Sequence, residues 1–550
     1  MARHGFTTLV ALVIWLGLPA RPAATQDPVP SKVFNVRDFG ATGVKDESAQ
    51  AAIQRAVDAC AASGGGMVFL PPGAYSTGTV HLRSHVRFFI EAGAVVYSVK
   101  NKAAFDKEAL FYGEDLVNLS LEGRGTVDGQ GGYEYRLKGD HQDDFIYPNQ
   151  VEMEKLGKPL LRSFPKADQF GKLVLLLRCR DVRVTGLNFI DSPSWTMHLY
   201  GCERTVIDGV YIRSSLKDGV WADGIDPDGC RDLRISNSTV ETGDDALVFY
   251  SMNWYGPALP CENITVTNCR FSSASSAIKF CDGNMNAVRN VTISNCVITD
   301  SNRGVAVMNF DGGVVENVVL ANLTIDCVRH DWFWWGDGEP FHFNIKRRRE
   351  VHKNWDHKDD RPAGTVRNIL IRDVIARGKG SSVCNGHPDS WLEGVTLDNV
   401  KLFLAHDPRA AYDKSVHALA FKLVRNLTLR NVDVVWEEPF YPQWRSALAV
   451  EKADGLLVEG FRGGPAPGNG PAPKPPAIDL RDVRDALVQN GRAAPGTDAF
   501  VGVFGDWSAG IVLSGNDLRL AERPYRSDLR NDYLIVKDFG NIPSPPRRKD

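Results

Sequence analysis

Cys230-Arg231-Asp232-Leu233-Arg234-Ile235-Ser236, Cys261-Glu262-Asn263-Ile264-Thr265-Val266-Thr267 and Val288-Arg289-Asn290-Val291-Thr292-Ile293-Ser294 are three copies of one phrase. Earlier copies begin at Cys179 and Cys202, and later ones at Val315, Val366 and Val424. The first five steps are 23, 28, 31, 27 and 27 residues. Each copy alternates Val, Ile or Leu with polar residues, as a strand with one buried face does. No helical stretch lies between copies, which excludes doubly wound sheets and α/β barrels, whose parallel strands need crossover helices. The pattern predicts an all-β fold, a single-stranded right-handed parallel β-helix in which each repeat stacks on its neighbours. Weaker coils are expected at Leu116 to Leu121 and Leu392 to Leu397.

The solenoid is expected to span residues 33–540 as one domain. About 525 residues would ordinarily suggest several domains, but a solenoid grows in one dimension without enlarging its core. Ala49, Ile53, Ala56, Val57 and Cys60 recur at helical spacing, with Asp46 and Ser48 available as caps. Gly64-Gly65-Gly66 ends that helix, which would cover the open edge of the first coil. Insertions are expected at 122–172, 326–362 and 463–477, with the chain after Tyr525 a short tail and 541–550 flexible. Long insertions on one face of a solenoid commonly build a binding site.

Residues 1–24 read as a signal peptide, an apolar stretch from Phe6 to Leu18 followed by Pro19-Ala20-Arg21-Pro22-Ala23-Ala24. A secreted or periplasmic protein is expected, with no membrane partner. The formal charge of −3 becomes −5 once Arg3 and Arg21 are removed. So weak a charge argues against nucleic acid as a partner. Lys346-Arg347-Arg348-Arg349 reads as a solvated loop. Ten cysteines permit disulfides in such a protein. Cys202 and Cys230 occupy matching repeat positions and are either bridged or stacked. Asn-x-Ser/Thr sequons begin at Asn118, Asn237, Asn263, Asn290, Asn322 and Asn426, and read as turn Asn followed by strand Thr.

Chemistry concentrates at Asp223, in Trp221-Ala222-Asp223-Gly224-Ile225-Asp226, and at the pair Asp244-Asp245, which starts 21 residues later. That separation is about one coil, and adjacent strands lie about 4.8 Å apart. Three carboxyl groups would then share one patch, which glycosidic hydrolysis needs: one acid to protonate the leaving oxygen, another to activate water or attack. The alternative reading is that Asp and Gly simply mark turns.

Ser192-Pro193-Ser194-Trp195, Ala222-Asp223-Gly224-Ile225-Asp226 and Gly243-Asp244-Asp245 occur in an order that resembles the polygalacturonase family, glycoside hydrolase family 28. Val36-Arg37-Asp38-Phe39-Gly40-Ala41 and Gly125-Thr126-Val127-Asp128-Gly129-Gln130-Gly131 are similar to it too. The resemblance implies a secreted, inverting hydrolase needing no metal or cofactor, with Asp244 as general acid and Asp223 and Asp245 holding water. Strand spacing alone leaves the stereochemistry open.

Two family motifs are missing. The Gly-His-Gly turn would fall near Ala274-Ser275-Ser276, and Arg-Ile-Lys near Ala306-Val307-Met308. Those cations grip a substrate carboxylate in the family, so their absence leaves two readings open, a changed substrate or lost activity. Arg303 lies 27 residues beyond Ser276, itself 31 beyond Asp245, and one step per coil would put it on the acid face. Simple alternation points Lys279 inward. Ser275, His198 (one coil before the acids), Trp334 and Trp335 are the other expected sugar contacts. The expected function is hydrolysis of a pectin-like or other acidic polysaccharide or oligosaccharide by a monomer. Two alternatives stay open: a calcium-dependent lyase using Asp226-Pro227-Asp228-Gly229, and a non-catalytic carbohydrate-binding β-helix.

Overall fold

The computed structural model describes residues 32–137, 161–166, 171–330, 336–351, 361–407, 415–468 and 474–543. Their strands form one continuous sheet of 38 strands, paired in parallel from coil to coil, plus a separate antiparallel pair. This is the right-handed parallel β-helix. The repeat phrase explains why it forms. Val184, Ile207, Ile235, Val266, Ile293 and Leu320 occupy one register position on successive coils, and all six are buried. Each such side chain contributes roughly 1.5–3 kcal/mol by leaving water.

The turn residues stack just as regularly. All six sequon asparagines adopt left-handed backbone, with φ between 52 and 59°. That conformation is open to Asn at low cost. Asn290 Nδ2 donates to Asn263 Oδ1 (3.2 Å), and Asn317 Nδ2 to Asn290 Oδ1 (3.1 Å), so amides continue from coil to coil.

The nine cysteines whose side chains are described are free and buried. Cys202 and Cys230 are therefore stacked, not bridged, each sulfur facing a backbone carbonyl.

Several boundaries move. The N-terminal helix runs Gln50–Ala62 and packs on the first strands, but neither Asp46 nor Ser48 caps it. Its cap position is Ala49, whose N–H donates to Ser76 O (2.8 Å), so pairing with the sheet fixes the helix start. Residues 326–362 are not one insertion, because strand Glu339–Ile345 is a full rung paired with Arg303–Asn309. Arg347 and Arg348 in the basic run are not simply solvated: they pair with Asp389 and Asp311. The chain after Tyr525 is no tail either, since Val536–Phe539 adds another parallel strand. Residues 1–24 and 544–550 lie outside the described residues.

Candidate active site

Strands Met197–Tyr200, Ile225–Asp228, Leu247–Ser251, Ser276–Asn284, Arg303–Asn309 and Glu339–Ile345 stack as consecutive rungs. Met197, Ile225, Leu247, Ile278, Val305 and Phe341 share the inward position and fill the core. The chain bends just before these rungs, at Gly224, Ala246, Ser275, Asn302 and Gly338. There Gly224 N donates to Asp245 O (2.9 Å) and Ala246 N to Ser276 O (3.0 Å). Asp223, Asp245, Ser276, Arg303 and Glu339 therefore follow one another along the helix axis. The coils meet tightly at this point, for a Cβ on Gly224 would lie 2.3 Å from Ala246 O. A side chain there would force the two acid-bearing turns apart.

One carboxyl oxygen each from Asp223, Asp244 and Asp245 lies within 4.8 Å of the other two. The expected convergence is present, and the group is covered, with all three acids nearly inaccessible. Asp244 accepts from Trp221 N (3.1 Å) and Asp245 N (3.0 Å). Asp245 accepts from Ser275 Oγ (2.8 Å), Ser276 N (3.1 Å) and Lys279 Nζ (2.7 Å). Ser275 thus acts on the acid, where a direct sugar contact was expected.

Lys279 is the main surprise. It occupies the outward position one coil after Val248, whereas simple alternation from Asp245 points it inward. The chain bends at Ala246, so two successive residues leave the strand's alternation and the register slips by one. Burial disfavours the ammonium, yet Asp245, Asp282 and Asp244 together hold it charged well above the ordinary lysine range.

The acids answer in the opposite direction. Burial and then Asp245 push the Asp244 carboxyl up to about 7. Burial, Asp244, Asp226 and Asp245 raise Asp223 well above the usual range. Carboxylates this close disfavour one another's charge out of water, which is why Asp223 and Asp244 shift in the same direction.

Asp226, read from the sequence only as part of a calcium loop, belongs to this group. It lies outward at the register position before Val248, fully buried, with neither oxygen hydrogen-bonded among the described residues. Burial, Asp245 and Asp244 raise its pKa as well. Asp226 and Asp228 stand in a strand with Pro227 between them, and Asp228 Oδ1 accepts from Met252 N (2.8 Å). This is not the loop that a calcium site of the expected kind would use.

His198 is paired with Asp226 one coil earlier, as expected, but it is fully enclosed. Trp195, Trp254 and Tyr255 pack around its ring at 4.8, 5.8 and 5.5 Å between centroids, so it does not line an open groove. Tyr250 stacks on Trp195 at 5.3 Å, which extends the aromatic wall beside the acids. The first insertion also reaches the site. Tyr133, at the start of the antiparallel pair, has its hydroxyl pushed well up by burial, Asp223 and Asp244.

Arg303 reaches the acid face by one step per coil, as its spacing implies. It is buried, and its Nε donates to Glu339 Oε1 (3.0 Å), with His342 Nδ1 2.9 Å from the same oxygen. Burial opposes the charge on Glu339, but Arg303 and His342 hold that carboxyl below its usual range. Glu339 and His342 carried no legible signal beyond their place after the Trp cluster. Trp334 and Trp335 lie outside the described residues.

Residues 68–331 match the family described as Glycosyl hydrolases family 28. It is 25% identical over 267 residues to a probable polygalacturonase of Vitis vinifera, across 44% of this chain and 49% of the relative. It is 23% identical over 274 residues to an exo-poly-alpha-D-galacturonosidase of Dickeya chrysanthemi, across 41% and 43%. The chain thus spans about half the length of the curated relatives it matches. An exopolygalacturonase structure from Thermotoga maritima superposes with a TM-score of 0.57 at 21% identity, over 74% of this chain and 92% of that one. A family 28 exopolygalacturonase from Yersinia enterocolitica gives 0.56 at 17%, over 77% and 79%. At these identities the structures share the fold.

Proposed function

We propose that this protein is a secreted, monomeric glycosidase that hydrolyses a pectin-like acidic polysaccharide by acid/base catalysis, and that residues 1–24 direct its export. The observation that supports it is the meeting of Asp223, Asp244 and Asp245 within 4.8 Å on adjacent coils, in environments that set them apart. Asp244, pushed up to about 7, keeps a proton to give to the glycosidic oxygen. Asp245, whose charge Lys279 balances, accepts a proton from water held between it and Asp223. No step needs a metal, because the lysine ammonium supplies the positive charge beside the cluster.

Activity falls as pH rises past about 7, by about tenfold per unit, because the general acid works only in its protonated form. The limb belongs to the Asp244–Asp245 pair as a whole. A kcat profile from pH 5 to 9 checks it, and a flat alkaline side removes Asp244 from the role.

The family resemblance favours inversion. One observation favours retention: the acids approach more closely than the roughly 6.5–9.5 Å usual across an attacking water, and nearer the ~5 Å of a nucleophile pair. We assign inversion on that resemblance, with Asp223 and Asp245 as the pair that would hold the attacking water. Proton NMR of the first product formed distinguishes the two: the inverted anomer appears first, and initial build-up of the retained anomer contradicts the assignment.

A further inference from the structure

The outward row that carries Asp226, Val248 and Lys279 continues well beyond the acids. It passes through Ala306, His342 and Val383, and then through Ala420, Ala449 and Asp479. Gly502 and Arg526 complete it. From Val248 to Ala420 is five coils, or about 24 Å at the usual strand spacing. There the row drops to small side chains and opens a cavity of about 650 Å³ on the face that bears the acids.

Three guanidinium groups line this cavity, those of Arg445, Arg481 and Arg526. None of them forms an ion pair with a described carboxylate, whereas neighbouring Lys422 is paired with Glu451 at 2.7 Å. Arg526 Nε and Nη1 are enclosed and make no hydrogen bond among the described residues. Phe504 fixes two of the groups, with Arg481 Cζ 5.2 Å and Arg526 Cζ 5.6 Å from its ring centroid. A buried donor pair left without an acceptor is costly unless something brings one. The other titratable groups in the cavity offset part of the charge, since Asp479 and Asp528 bring two carboxyl groups against the three guanidinium groups. Burial raises the carboxyl of Asp479 despite its three arginine neighbours, and burial with Arg445 pushes His417 down to about 4. Asp528 lies at the wall, and Lys422 and Glu451 cancel.

Planar guanidinium groups with free donors recognise carboxylates in two-point fashion. We propose that this cavity is a second glycan subsite, binding a carboxylate-bearing sugar of the polysaccharide chain that the acid site cleaves. The reference to one shared chain rests on the function proposed above; the carboxylate chemistry of the cavity does not. A linear polymer lying along the row would be gripped at both places, and a short oligosaccharide at only one.

The test uses the full chain carrying Asp244→Asn, titrated calorimetrically with oligogalacturonates, carboxyl-reduced oligomers and inorganic sulfate. Arg445→Gln with Arg526→Gln should weaken long oligogalacturonates by about tenfold or more. Reduced oligomers should bind as weakly to the parent as galacturonates do to the variant, and a melting temperature unchanged from the parent establishes folding. Should that double variant misfold, Arg481→Gln, which alters one exposed arginine, carries the same comparison. With Asp244 restored, the arginine variants should keep turnover on short oligomers and lose kcat/KM on the polymer. Equal affinity for galacturonates in parent and folded variant overturns the proposal, as does a site filled equally well by sulfate. If the wild-type chain cleaves nothing yet arginine-dependent binding persists, the hydrolase reading falls and this subsite stands.

Discussion

Asp244→Asn eliminates release of reducing ends, by about 10²–10⁴-fold, and leaves the fold intact. The amide keeps the shape of the carboxyl but only one of its two acceptors, since Trp221 N donates to Oδ2 and Asp245 N to Oδ1. What it lacks is the transferable proton. The stability change distinguishes this loss from simple damage. Asp244 is raised above its unfolded value of 3.8, so its contribution to stability is complete below 3.8 and is lost as pH rises through about 7. An uncharged Asn escapes that loss. Relative to the parent, the variant should therefore gain in melting temperature between pH 6 and pH 8, by scanning calorimetry. An inactive variant that melts well below the parent at pH 8 would mean that Asp244 serves structure first.

Lys279→Met should have the largest effect on stability, about 3–5 kcal/mol at neutral pH. The substitution keeps the length of the side chain and removes the only ammonium within 4 Å of Asp245 among the described residues. An uncompensated carboxylate then stays buried against Asp223 and Asp244. The pH dependence follows from the direction of the lysine shift. Its pKa is raised on folding, so its contribution is complete below the unfolded value of 10.5 and is lost only as pH rises through the higher folded one. The variant's deficit should consequently be full at pH 7 and shrink on acidification, as the orphaned carboxyl takes up a proton. Urea denaturation at pH 4.5 and 7 measures both, and a deficit below 1 kcal/mol at neutral pH would show that the pair adds little. The surviving activity should also keep its alkaline limb at higher pH, since Lys279 normally lowers Asp244.

Much of this could be read from the chain because a solenoid is local. Each coil repeats one phrase, so counting residues from Asp223 to Asp245, Ser276 and Arg303 predicted which residues stack. Asn290 and its counterparts announced their turns by the same periodicity. Legibility failed where the period breaks. The bend at Ala246 is a single residue, invisible in a hydrophobic pattern, and it decides that Lys279 faces the acids instead of the core. Cys202 and Cys230 gave equal support to bridge and stack, because both need the same register. Asp226 and Asp228 looked like turn or metal-loop residues, since Pro-Asp-Gly is ordinary turn chemistry, and the inward packing of Pro227 makes them part of a strand. The enclosure of His198 depends on Trp254 and Tyr255, which arrive from a loop more than 50 residues later. Burial of that kind is a tertiary property that spacing along one chain segment does not encode.

Oligogalacturonate digested in water enriched in heavy oxygen, with the products weighed by mass spectrometry, tests most directly whether these coils assemble a hydrolase. One labelled oxygen in every newly formed reducing end, and its disappearance in Asp244→Asn, is the predicted result. Unlabelled products with unsaturated, ultraviolet-absorbing ends, or labelled product at an undiminished rate from the Asn variant, would contradict it.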